Sequence, residues 1–87
     1  MSHAAGKKTK ANAKSSHAEG QGTYVDEYGE GSHAEGLDTY VSAHYAHVEG
    51  AKTKIADNAN YSHAEGKEGL VEEGCEGCHV EGYDTLA

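Results

Sequence analysis

The sequence contains no phenylalanine, no tryptophan and no arginine. Without the two largest apolar side chains, the stock for a core is thin: Val25, Leu37, Val41, Val48, Ile55, Leu70, Val71, Val80 and Leu86, with alanines between them. A chain of 87 residues makes one small domain, 1–87. At this size folding buries only about 60–65% of the unfolded surface. A monomer so built is expected to be marginal and to gain from oligomerisation or a bound metal. The lack of arginine, a net charge of −8 and seven lysines that form no long stripe argue against nucleic acid as a partner. No stretch approaches the roughly 20 apolar residues of a membrane-spanning helix, so no membrane insertion is expected. Residues 1–8 have no apolar segment, so no signal peptide is read there. Two cysteines are too few for a disulfide scaffold. Low hydrophobicity with high charge also describes disordered chains; the strict register set out next argues against disorder.

What the sequence does have is one pentapeptide, many times. Ser16-His17-Ala18-Glu19-Gly20 returns as Ser32-His33-Ala34-Glu35-Gly36 and as Ser62-His63-Ala64-Glu65-Gly66. Ala46-His47-Val48-Glu49-Gly50 and Cys78-His79-Val80-Glu81-Gly82 are looser copies, and Ser2-His3-Ala4-Ala5-Gly6 lacks the glutamate. The histidines are 14, 16, 14, 16 and 16 residues apart. Six residues after each stands Thr9, Thr23, Thr39, Thr53, Gly69 or Thr85, and two further on Ala11, Val25, Val41, Ile55, Val71 or Ala87. Each unit is therefore two short segments with a two-residue insertion at one place in the longer copies. A fixed period of this length is the mark of a stacked-repeat architecture.

Glycine punctuates every unit and costs about 1 kcal/mol inside a helix, whereas Thr-Tyr-Val at 23–25 and 39–41 favours strand. The reading is all-β: a parallel β-solenoid of about six coils, each of 14–16 residues, rising about 4.8 Å per coil. The insertions at 26–31, 57–61 and 72–77 should leave one edge of neighbouring coils. Alternation along a strand puts Ser16, Ala18 and Gly20 on the inner face and His17 and Glu19 on the outer. The outer face then carries two ladders, His17, His33, His47, His63 and His79 beside Glu19, Glu35, Glu49, Glu65 and Glu81. Carboxylates in line about 4.8 Å apart repel. Pairing with the imidazoles would offset this and raise the histidine pKa values. Meeting the same ladders of partner subunits would make a polar interface.

Ser-His-Ala-Glu-Gly followed by x-x-Thr-x-Ala resembles the head repeats of YadA-type trimeric adhesins, and more closely the SHAEG-rich repeats of phage tail fibres and related surface proteins. The family unit is Ser-Val-Ala-Ile-Gly-x-x-Ser/Thr-x-Ala. Here His17, His33 and His63 take the valine place, and Glu19, Glu35 and Glu65 the isoleucine place. The resemblance covers nearly the whole chain. It implies a left-handed parallel β-roll, a homotrimer, a structural or adhesive role in a virion tail fibre or on an extracellular surface, and a cell-surface carbohydrate or receptor as partner. The chain is shorter than such proteins, with no stretch that reads as a coiled-coil stalk, membrane anchor or processing domain.

Three further features bear on chemistry. Cys75-Glu76-Gly77-Cys78-His79 has the spacing of a c-type haem attachment site, with two thiols for the vinyl groups and the histidine for the iron. The same residues also fit the repeat, where His79 is due and the cysteines replace small residues. Reduced packed thiols, a disulfide, a soft-metal site and haem c are the readings open. The ladders mix imidazole and carboxylate, good ligands for a transition metal, although hydrogen bonding across an interface needs no cofactor. Tyr24, Tyr28, Tyr40, Tyr45 and Tyr61 suit a carbohydrate surface or cross-coil packing. His44 falls outside the register and reads as a loop residue. Lys7, Lys8, Lys10 and Lys14 make the first coil basic, whereas Glu68, Glu72, Glu73, Glu76, Glu81 and Asp84 make the last 20 residues acidic. Such ends suit head-to-tail stacking into a filament. No nucleophile–base pair or phosphate loop stands out, and no enzyme activity is expected.

Overall fold

The computed structural model describes residues 3–86; Ser2 and Ala87, which belong to the first and last repeats, lie outside the described residues. In chain order the strands are β1 (His3–Lys7), β2 (Lys10–Ala11), β3 (His17–Gln21), β4 (Tyr24–Val25), β5 (His33–Leu37), β6 (Tyr40–Val41), β7 (His47–Val48), β8 (Lys54–Ile55), β9 (His63–Ala64), β10 (Leu70–Val71) and β11 (His79–Val80). Odd-numbered strands stack into one sheet and even-numbered strands into a second. Every pairing between strands is parallel and joins equivalent residues, so that His17 pairs with both His3 and His33, and Val41 with both Val25 and Ile55. The chain is a β-solenoid with no helix among the described residues. A full turn needs a strand in each sheet. Six strands in the first and five in the second give about five turns rather than six coils.

The core is a narrow slot. Ala18, Ala34, Val48 and Ala64 point in from the first sheet, and Val25, Val41, Ile55 and Val71 from the second; each is fully buried. Alanines, with Val48 the one branched residue among them, face valine and isoleucine on the other wall. The smallest principal extent of the Cα trace is 12 Å, close to the roughly 10 Å at which two sheets pack face to face. The accessible surface is 4648 Å², near the ~4,900 Å² typical of a folded monomer of 9.1 kDa. The coil is therefore as compact as an ordinary small domain despite its small side chains.

Two corners turn the chain. Gly6, Gly20, Gly36, Gly50, Gly66 and Gly82 form a column with φ between +108° and +114°. This corrects the expectation that Gly20 fills the interior with Ser16 and Ala18. Gly20 is exposed and its positive φ breaks the alternation. A Cβ added at Gly36 would lie 2.0 Å from the carbonyl oxygen of Gly50 in the next coil. Two residues on, Lys8, Gly22, Asp38, Lys52, Glu68 and Asp84 are left-handed, with φ from +55° to +68°. Ser15, Gly31, Tyr45, Tyr61 and Gly77 form a second left-handed column at the other corner. For residues other than glycine this backbone costs about 1–2 kcal/mol each. The reason lies in hydrogen-bond direction. Strand amides bond up the stack, as from His17 N to Ser32 O, but left-handed amides bond down it, as from Asp38 N to Gln21 O and from Tyr61 N to His44 O.

The connections from second sheet to first, 26–32, 56–62 and 72–78, are each two residues longer than 12–16 and 42–46. All leave the same edge, as expected, but a short connection separates the first two long ones. The gap forms a notch of about 200 Å³ lined by Tyr28, Ser42, Asp57 and Asn58. Buried serines close these connections: Ser32 Oγ donates to Ala43 O at 2.5 Å and accepts from Ala46 N at 3.0 Å.

The glycine column makes a paired prediction. Gly36→Ala adds both φ strain and a backbone collision and should destabilise by several kcal/mol. Gly82→Ala shares the φ of +110° but meets only Thr85 Cγ2 at 3.6 Å, so it should cost only about 1–3 kcal/mol. Urea unfolding of both variants checks the order. The buried threonines supply another pair. Thr39 Oγ1 has no hydrogen-bond partner, whereas Thr53 Oγ1 donates to Glu49 O at 3.1 Å. Thr39→Val should stabilise and Thr53→Val destabilise, each by about 1 kcal/mol, measured by thermal unfolding.

Candidate functional site

Strand alternation sets the site. Within each Ser-His-Ala-Glu-Gly unit the alanine enters the core, and the histidine and glutamate leave the first sheet side by side. Stacking in register turns six histidines into a column. Ring centroids from His3 to His79 are 4.8, 4.6, 4.7, 4.8 and 4.8 Å apart. The last three ring pairs are stacked nearly parallel, and His17 and His33 are tilted by 30°. Beside it runs the glutamate column. Nε2 to Oε1 distances are 2.5 Å for His17–Glu19, 2.7 Å for His33–Glu35, 2.9 Å for His47–Glu49, 2.8 Å for His63–Glu65 and 3.0 Å for His79–Glu81. All ten ladder residues named from the sequence are thus brought together on one face, each glutamate with the histidine two residues before it in the same coil.

Proximity is not the same as hydrogen bonding here. His17 and Glu19 form a well-directed bond. At His33, His47 and His63 the Nε2 atom is enclosed but has no hydrogen-bond partner. The carboxylate oxygen is close enough but lies off the ring N–H axis, where a hydrogen bond weakens steeply. The expectation that pairing raises the histidine pKa fails at His47. Burial lowers its pKa below the ordinary 6.5, and the positive charges of His33 and His63 in the protonated ladder lower it further, outweighing Glu49 and Glu35. Four groups, each a histidine, its glutamate and the next histidine, have ligand atoms within 4.8 Å of one another.

Elsewhere the structure sorts the remaining candidates. Cys75 and Cys78 are joined as a disulfide, so neither is the reduced thiol that the repeat pattern also suggested. Both are part-buried against the core. Ser62 Oγ ties the turn by donating to Cys75 O at 2.9 Å and accepting from Cys78 N at 3.1 Å. With the sulfurs bonded to each other, His79 belongs to the ladder, stacked on His63. His44 is exposed in its loop. Among the tyrosines, Tyr28, Tyr45 and Tyr61 are exposed and Tyr45 stacks on Tyr61 at 5.7 Å. Tyr24 and Tyr40 instead lie half-buried on the outer face of the second sheet, flanked by Lys10 and Lys54 over their rings.

Two polar pairs escaped the sequence reading. Tyr40 O–H donates to Asp26 Oδ2 at 2.6 Å, and Ser42 Oγ to Asp57 Oδ1. Burial, and then the Asp26 carboxylate that accepts its proton, push the Tyr40 phenol up to about 12. The partners are 14 and 15 residues apart. One coil period is the signal that could have found them.

The chain matches no family model. No curated protein and no solved structure is significantly similar to it either. No described helix is long and apolar enough to cross a membrane.

The His47 shift fixes a sign. Because its folded pKa lies below the unfolded value of 6.5, its contribution to stability is intact above pH 6.5 and is lost as the pH falls through the folded value. Imidazole NMR should place the His47 midpoint below 6.5, and unfolding should become easier in acid. A midpoint at or above 6.5 would contradict the ladder geometry.

Proposed function

We propose that this chain is a structural, self-associating fibre module: a left-handed β-roll that forms a homotrimer through its histidine–glutamate face. The observation that carries the reading is the unbroken polar ladder on the outer face of the first sheet. Three enclosed Nε2 atoms there lack hydrogen-bond partners, and a buried polar group left unpaired costs about 1–3 kcal/mol. Five carboxylates also stand in one line with side chains 37–65% exposed. A free face gains little from such an arrangement. A face apposed to identical faces can supply donors to the exposed carboxylates and specify the register in which chains meet. The resemblance of the repeat to YadA-type heads and SHAEG-rich tail-fibre shafts supports the same role, in a virion fibre or an extracellular surface fibre. The proposal assigns the chain no reaction.

Sedimentation equilibrium tests it. The expected species has three times the 9.1 kDa chain mass. Glu35→Ala, which leaves His33 without its carboxylate, should weaken association by at least about tenfold, the equivalent of about 1.4 kcal/mol. A monomer at high micromolar concentration, or a Glu35→Ala trimer as tight as the parent, would sink the reading.

A further inference from the structure

The geometry points to a divalent transition-metal site on the three central rungs, where His33 with Glu35, His47 with Glu49 and His63 with Glu65 each chelate through Nε2 and Oε1. Copper(II) is the ion class that fits best, with nickel(II) next. The inference does not rest on the trimer, since each chelate lies within one chain.

The first observation is the spacing of the donor atoms. Nε2 and Oε1 are 2.7, 2.9 and 2.8 Å apart on these rungs. An ion held at roughly 2.0–2.1 Å from both would be embraced at an angle of roughly 80–90°. That is the cis angle of a tetragonal or octahedral centre. Tetrahedral zinc at the same bond lengths needs donors roughly 3.3 Å apart. The geometry therefore selects by coordination shape, and for mixed nitrogen and oxygen donors copper(II) also heads the affinity order.

The second observation is the unpartnered nitrogen. The three enclosed Nε2 atoms make no hydrogen bond although a carboxylate oxygen is near. An ion at the apex of the two donors engages both atoms without requiring them to point at each other. The first rung is different: His17 Nε2 is already used in its bond to Glu19. The imidazole of the next coil lies within 4.8 Å of each pair. A ring rotation such as the 30° tilt between His17 and His33 would bring it nearer as a third ligand. Cations would also offset the repulsion along the glutamate column. The disulfide keeps Cys75 and Cys78 from competing for a soft ion. Ions on adjacent rungs would stand only about 4.7 Å apart and repel, so about one or two should fill per chain.

The test titrates copper(II) alone into the full chain carrying His3→Ala. That change removes the terminal-amine copper site that a histidine in third position can create. Calorimetry should show about one or two ions per chain, with zinc at least about tenfold weaker. Glu35→Gln, Glu49→Gln and Glu65→Gln together should weaken copper at least about tenfold. Glu27→Gln, Glu72→Gln and Glu73→Gln together remove the same charge from exposed loops and should leave affinity within about twofold. Equal losses in the two triple variants, or none in the ladder triple, overturn the site. A readout that leaves the ladder intact covers a ladder triple that does not fold. Electron paramagnetic resonance of the copper-loaded His3→Ala chain should change its nitrogen splitting when the histidines carry nitrogen-15. An unchanged splitting, or no copper uptake by the His3→Ala chain, overturns the proposal.

Discussion

Everything in this molecule follows from one requirement: each coil must hydrogen-bond its backbone to the next coil in register. Parallel pairing at β-sheet spacing leaves no freedom to stagger. Whatever residue occupies a position meets its counterpart directly above and below. Histidine therefore stacks on histidine at 4.6–4.8 Å, alanine or valine on valine, and glycine on glycine. The corner glycines show the constraint at its tightest. A single methyl at Gly20, Gly36, Gly50 or Gly66 would fall about 2 Å from the next coil's carbonyl oxygen.

The same requirement makes the fold work with few large side chains. A slot between two short sheets is filled by one alanine or valine from one wall and one valine or isoleucine from the other. Stability then comes from many repeated small burials and continuous backbone pairing instead of one large core. The cost appears at the corners and on the outer face. Nine residues other than glycine are held at positive φ, and six of them, Asp38, Tyr45, Lys52, Tyr61, Glu68 and Asp84, use that backbone to turn their amides back to the preceding coil. Like side chains are also forced together outside, where the rings of the second sheet are covered by Lys10 and Lys54. The first sheet keeps a line of carboxylates beside imidazoles that only partly satisfy them.

The repeat made most of this visible in advance. The histidine spacing marked the strands of the first sheet, the Thr-x-Val signal those of the second, and alternation put His17 and Glu19 outside with Ala18 inside. What could not be seen was anything set by a corner. Gly20 looked like an inner residue because alternation was carried one position too far. Left-handed Tyr45, Lys52 and Glu68 carry no local sign of that backbone, since the neighbouring coils impose it. The direction of the His47 shift was likewise hidden. Spacing tells that a carboxylate is near, but the balance depends on how far stacking buries the ring and on histidines a whole coil away.

The sequence by itself determined the period, the parallel β-solenoid, the composition of each column and which face would carry the ladders, because a repeat in strict register has one economical way to stack. The tertiary structure alone decided how those columns behave. It set the angle between Nε2 and the carboxylate on each rung, the unpaired nitrogens at His33, His47 and His63, the joined sulfurs of Cys75 and Cys78, and the cross-coil bond from Tyr40 to Asp26. These depend on side-chain direction and burial in three dimensions, which identical pentapeptides can occupy differently from one rung to the next.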